Sequence, residues 1–204
     1  MAFDTYMQFM DPNQQYIGGE SQVQVDKASE SPIGQDLTQG KVFEIDDFSF
    51  DIEQILNIGS QSSGAGAGKV TFNPFQITRK TDRLSPRLFT MCCAGQHFSQ
   101  VSLFLRRAGG STPGAAGTTG AGVTSGTTFL RFDFALVAVK TISWSGSDGD
   151  EACKEEVTFE YGALQVRYVQ QGPDGKALST ADAQPQGAWN QIYNNADFKS
   201  IAAS

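Results

Sequence analysis

Histidine is nearly missing from this chain: among 204 residues only His97 is one. No Ser or Cys stands in a recognisable nucleophile motif, so a catalytic triad has no support, and His97 reads as a surface or capping residue after Gly95. Cysteine is as scarce. Cys92, Cys93 and Cys153 form neither a disulfide framework nor a C-x-x-C motif, and they read as small buried hydrophobes. Cys92, Cys93 and His97 do not read as a zinc site, because adjacent helical positions point about 100° apart and a fourth ligand is missing. Positive charge is in deficit, with Lys and Arg totalling 15 against 22 Asp and Glu, a net charge of −7 and a pI near 4.6. That balance disfavours phosphate backbones and anionic membranes, so neither nucleic acid nor membrane is an expected partner. Long apolar runs are absent too: the longest, Phe134 to Val139, is strand-length. The first Lys is Lys27, so no basic leader precedes an apolar stretch, and synthesis and first folding are expected in the cytoplasm.

What the chain does have is core. It is 39% hydrophobic and 18% charged, with fifteen Phe against five Tyr and two Trp, which excludes global disorder. The length fits one domain, residues 1–204, with no internal boundary. Strand periodicity dominates, and it repeatedly changes phase. Phe43 and Ile45 give way across Asp46-Asp47 to Phe48, Phe50 and Ile52. Val70 and Phe72 give way at Asn73-Pro74 to Phe75 and Ile77. Leu130 to Leu136 passes to Val137 and Val139, and Val157 to Tyr161 passes across Gly162 to Leu164, Val166 and Tyr168. Such slips predict bulges in four long, bent strands, hence a mainly β fold: a small barrel of two packed, bent sheets.

One short helix is predicted over Ser85–Ala94, with Ser85 as N-cap, Pro86 in the first turn and Gly95 as terminator, burying Leu88, Phe89 and Cys92. Loops are expected over about 57–69 and 109–128, both rich in Gly, Ser, Thr and Ala, and over the polar, turn-rich residues 13–40. The last segment, about 172–204, carries Trp189, Ile192, Tyr193 and Phe198 and is expected to dock.

The motifs are weak ones. Gly64-Ala65-Gly66-Ala67-Gly68-Lys69 looks like a phosphate loop, but Ser63 and Val70 occupy the required Gly and hydroxyl positions and a strand follows. The acidic turn Asp148-Gly149-Asp150-Glu151 is too short for a full calcium loop. Asp46-Asp47 and Glu155-Glu156 are adjacent strand residues pointing to opposite faces, unlike an acid/base pair. No enzyme and no cofactor is expected.

Several motifs in order resemble one family. They are Gly19-Glu20-Ser21 after the first strand, the Gly-rich loop into Lys69-Val70, Asp82-x-x-Ser85-Pro86-x-Leu88 opening the helix, and Gly95-x-His97. Arg107-Ala108-Gly109-Gly110, the strand from Phe129, and Trp189-Asn190 after Gly187 continue the match over nearly the whole chain. The chain resembles the haemolysin-coregulated protein (Hcp) family, the inner-tube component of type VI secretion, and departs from it in a longer 110–128 segment and in Ala188. The resemblance implies a β-barrel subunit of a hexameric ring. Rings would stack into a hollow tube that carries effector proteins in its lumen, meets the sheath and the valine-glycine repeat spike proteins, and leaves the cell without a signal peptide. Within it, Asn57, Gly59, Gly64, Gly66, Gly68 and Lys69 would form a ring-stacking loop, and Asp82, Ser85, Pro86, Leu88 and Gly95 the helix-cap motif. The alternative from another class is a monomeric β-sandwich ligand-binding module. That class displays several exposed Trp or Tyr on one face, whereas Trp144 and Trp189 lie far apart in the chain.

Overall fold

The computed structural model describes residues 3–27, 30–57, 66–107, 126–172, 177–178 and 180–198. Gly59 and Gly64, and with them most of the two Gly-rich loops, lie outside the described residues. Among these residues ten strands and one α-helix follow in order: β1 Phe3–Met10, β2 Phe43–Glu44, β3 Asp47–Ser49, β4 Ile52–Asn57, β5 Gly66–Phe72, β6 Phe75–Lys80, α1 Ser85–Ala94, β7 His97–Arg107, β8 Thr127–Ser145, β9 Lys154–Tyr168 and β10 Gln186–Asn190. One sheet runs β2-β1-β7-β8-β9-β6-β3 with β10 also on β9, and β4-β5 form a separate pair. All strand pairings are antiparallel. No helix among the described residues is long and apolar enough to cross a membrane.

The phase changes have three different causes. At residues 45–46 the chain leaves one edge of the sheet for the other: Ile45 N donates to Thr5 O on β1 at 3.1 Å, and Asp46 N donates to Thr78 O on β6 at 2.9 Å. The expected bulge is instead the bridge that curls the sheet. At Asn73-Pro74 the chain passes from the small sheet to the large one, where Pro74 has no N–H to continue a ladder. At Leu136 the backbone takes φ 52°, and facing residues keep register on both sides, Ala135↔Ala163 and Val137↔Tyr161. Both strands therefore turn over together without an extra residue. The actual register shifts fall between Gln54 and Leu56, Leu105 and Arg106, and Val139 and Thr141.

Inside the curl the alternating apolar residues meet. Phe75 stacks on Phe134 at 4.4 Å between centroids, and Phe9 packs against Phe43, Phe98 and Phe159. Helix α1 lies over this core with Leu88 and Met91 buried. Full burial of each contributes about 1.5–3 kcal/mol. Phe89, expected in the core, is 49% exposed, because the buried stripe runs i, i+3 through Leu88 and Met91 and leaves Phe89 about 100° round the helix. Cys92 and Cys153 are half-buried and Cys93 is exposed, so the cysteines are not the buried hydrophobes expected.

Ser85 is not the N-cap. The capping position is Leu84, with φ −78°, and no side chain caps it. Asp82 does related work just upstream, its Oδ1 accepting from Leu84 N at 2.7 Å, while Ser85 Oγ accepts from Asp82 N at 3.2 Å. At the other end Gly95 sits at φ 62°, a left-handed turn that glycine adopts without a Cβ clash, and Gln96 N donates to Met91 O at 3.1 Å.

Candidate assembly site

The motif residues converge at the entrance to α1. Gly19 runs against residues 40–42, its N donating to Gly40 O at 2.9 Å. A Cβ there would lie 2.1 Å from Val42 O, so only glycine fits this approach. The next residue, Glu20, accepts from Arg83 N at 3.2 Å through Oε1, and Ser21 Oγ donates to Glu44 Oε1 at 2.7 Å. Together they shape an open groove of about 330 Å³ lined by Glu20, Ser21, Glu44, Asp46, Lys80 and Asp82 among others. Among the described residues no three His, Cys, Asp or Glu side chains gather to hold a metal ion.

Beneath the groove lies a buried ionic link that sequence reading missed. Glu155 is fully buried; its Oε1 accepts from Arg79 Nε at 2.8 Å and its Oε2 from Trp144 Nε1 at 2.7 Å. Arg79 also bonds to Asp82 and, at 3.2 Å, to Ser85 Oγ, tying β6 and β9 to the start of α1. A second link fills the other sheet face. Asp133 accepts from Arg131 Nε at 2.8 Å, Ser102 Oγ at 2.6 Å and Arg167 at 2.6 Å. Arg131 reaches out to Ile33 O and Asp36, and Arg106 pairs with Glu30 at 2.9 Å, so the short 3-10 turn Pro32–Gly34 is held over a small second core of Leu37, Val42 and Phe104. The available signal was parity: Glu155 shares the core phase of Val157 and Phe159.

The surfaces able to meet another chain lie elsewhere. Asn57 ends β4 and Gly66, Gly68 and Lys69 belong to β5, with Asn57 opposite Gly66, so the expected loop over 57–69 is strand at both flanks. This pair is not bonded into the large sheet but packs on it, with Phe72 buried and stacked on Tyr161 at 5.3 Å between centroids. Phe89 and Trp144 expose their rings side by side at 6.1 Å. In the last segment Trp189 and Phe198 are half-buried as expected, but Ile192 and Tyr193 are exposed at the tip of a turn. Gln191 anchors that turn, donating to Tyr161 O at 2.6 Å and accepting from Phe72 N at 3.4 Å. Nearby, burial raises the Tyr161 phenol well above its ordinary value, assisted by Asp51 and Glu160.

Comparison with known proteins matches this arrangement to one group. A model of the family described as Type VI secretion system effector, Hcp, matches residues 6–168. A curated relative, protein hcp1 of Pseudomonas aeruginosa, is 29% identical over 107 residues, which is 52% of this chain and 58% of the relative; the match thus spans little more than half of that relative's length. A solved structure described as that of a type six secretion system protein superposes with a TM-score of 0.70 at 23% identity, covering 95% of this chain and 99% of the other. Hcp1 from Salmonella typhimurium superposes at 0.59 and 20% identity, covering 96% and 100%. The two superpositions show a shared fold.

Proposed function

Because the chain belongs to the Hcp family of the type VI secretion system, we propose that it is a structural subunit of that system's inner tube. Six copies form a ring, rings stack, and the hollow tube is driven outward with effector proteins in its lumen. The sheath and the valine-glycine repeat spike proteins are its partners in the machine, and export follows without a signal peptide. The family match over residues 6–168 carries this reading. The curled sheet supports it physically: strands bonded edge to edge around a packed Phe core make a stiff wall. The acidic balance, −7 per chain, also fits a subunit that must not bind nucleic acid in the cytoplasm before assembly.

Native mass spectrometry and electron microscopy of the purified protein test the proposal. Rings of six subunits are expected. A single species at the 21.9 kDa chain mass over the concentration range that assembles ordinary interfaces would overturn it.

A further inference from the structure

Among the described residues no backbone ladder joins β4-β5 to the large sheet. The pair is seated through side chains of β5 instead: Val70 and Phe72 pack on the core, and Phe72 stacks on Tyr161 with the ring planes 30° apart. Past Val70 the strand runs on to Gly66, a length of about 14 Å at roughly 3.4 Å per residue. A tilt of about 10° at the seat therefore carries the Gly66 end about 2 Å sideways, more than a hydrogen bond to a neighbour tolerates. Aromatic stacks keep their attraction over a range of offsets, so this packing holds the pair down without fixing its tilt.

One side chain supplies the further constraint. Asn73 N donates across the pair to Asp51 O at 3.1 Å, so Phe72 N, one residue back, points away from β4. There it donates to Gln191 Oε1 at 3.4 Å, while Gln191 Nε2 donates to Tyr161 O on β9 at 2.6 Å. The amide thus ties β5 to the main chain of the same residue whose ring Phe72 covers. Gln191 is itself held. Its N donates to Gly162 O at 3.1 Å, and fully buried Asn190 beside it accepts from Ile192 N and Tyr193 N at 2.9 and 3.1 Å, closing the turn that carries Gln191. An amide offers an acceptor to the N–H and a donor to the carbonyl at once, whereas a carboxylate in its place would set oxygen against oxygen. We propose that Gln191 is a positioning residue for ring stacking: by fixing the tilt of β4-β5 on the large sheet, it aims the connection between those strands at the neighbouring ring. The large sheet and its core are complete without this tie, so ring closure is expected to survive its loss. The inference rests on the tube-subunit reading and on the stacking role that the family resemblance gives the connection, and it names a residue outside the connection on which stacking depends.

The test uses Gln191→Ala, with Gln191→Glu as the variant that keeps the size and the acceptor but loses the donor to Tyr161 O. Both are expected to form rings by native mass spectrometry at the parent's concentration, while tubes seen by electron microscopy need at least about tenfold more protein. In rings of Gln191→Ala, hydrogen exchange of the Phe72 amide is expected to quicken by about threefold or more, the effect of one lost hydrogen bond. A residue that only added stability would lower ring and tube formation together, or neither. Tubes from either variant at the parent's concentration, or Phe72 exchange equal to the parent's, would overturn the positioning role while the tube reading stands. Rings lost along with tubes would overturn it too, since Gln191 would then support the subunit as a whole. If one variant does not fold the other decides, and if neither folds the positioning role fails. Parent rings that never join into tubes overturn the stacking premise and this inference with it; a parent that forms no rings overturns the tube reading as well.

Discussion

Glu155 occupies a position that a strand in core phase would give to Val or Ile, and both of its carboxylate oxygens are used, one by Arg79 and one by Trp144. Two opposite charges buried together are a weak source of net stability, but removing one leaves the other without compensation. Glu155→Gln keeps the volume and removes the charge, so buried Arg79 retains only the half-buried Asp82 as an ionic partner. The expected loss is about 3 kcal/mol, the low end for a broken buried pair because Asp82 remains. Urea denaturation followed by tryptophan fluorescence measures it, and a midpoint unchanged from the parent would show that the link carries no stability. The role such a residue plays is geometric: it fixes where α1 leaves β6, and with it the groove and the exposed Phe89–Trp144 pair.

Helix α1 shows what an element owes to residues just outside it. Asp82 both accepts from Leu84 N and pairs with Arg79, whereas Ser85 Oγ accepts weaker bonds at 3.2 Å. Asp82→Ala is accordingly expected to cost about 1–2 kcal/mol, in the range of a lost capping acceptor, and Ser85→Ala less. Thermal melts of the two variants compare them directly; a larger loss for Ser85→Ala would restore the serine as the cap. The helix span, its Gly95 terminator and the strand phases were legible in the sequence because each is local, written in spacing and in the residue that tolerates a positive φ. The assignment of the cap was not, since Asp82 and Ser85 are both acceptor residues near Pro86 and only the folded backbone decides which reaches Leu84 N. The phase changes illustrate the same limit. Residues 45–46, 73–74 and 136 look alike as sequence, yet one bridges two sheet edges, one changes sheets and one turns over in place, and partner strands distant in sequence determine which. The motif residues Gly19, Glu20 and Asp82 were legible as a group, but their convergence on Arg83 and Leu84 depends on a chain crossing that no spacing encodes.

For the whole molecule, two kinds of contact are needed to build a tube: lateral ones that close a ring and axial ones that join rings. A single subunit has to keep these on separate surfaces, or a change in one would disturb the other. The resemblance to the Hcp family proposes the connection between β4 and β5 for the axial contact. That connection joins Asn57 to Gly66 and is rich in Gly and Ser, so it forms no core of its own, and its glycines let a backbone approach a neighbouring ring closely. Removing Ile58 to Ser63 is expected to keep the Asn57↔Gly66 pairing, with Gly64 and Ala65 as a two-residue turn whose first residue is glycine. The shortened protein is expected to form hexameric rings at the parent's concentration, because the large sheet and its core are untouched, while tubes fail to grow in electron micrographs and secretion is lost. Normal tubes from the shortened chain would remove the connection from the axial contact. Loss of the rings themselves would mean that it also supports the lateral one.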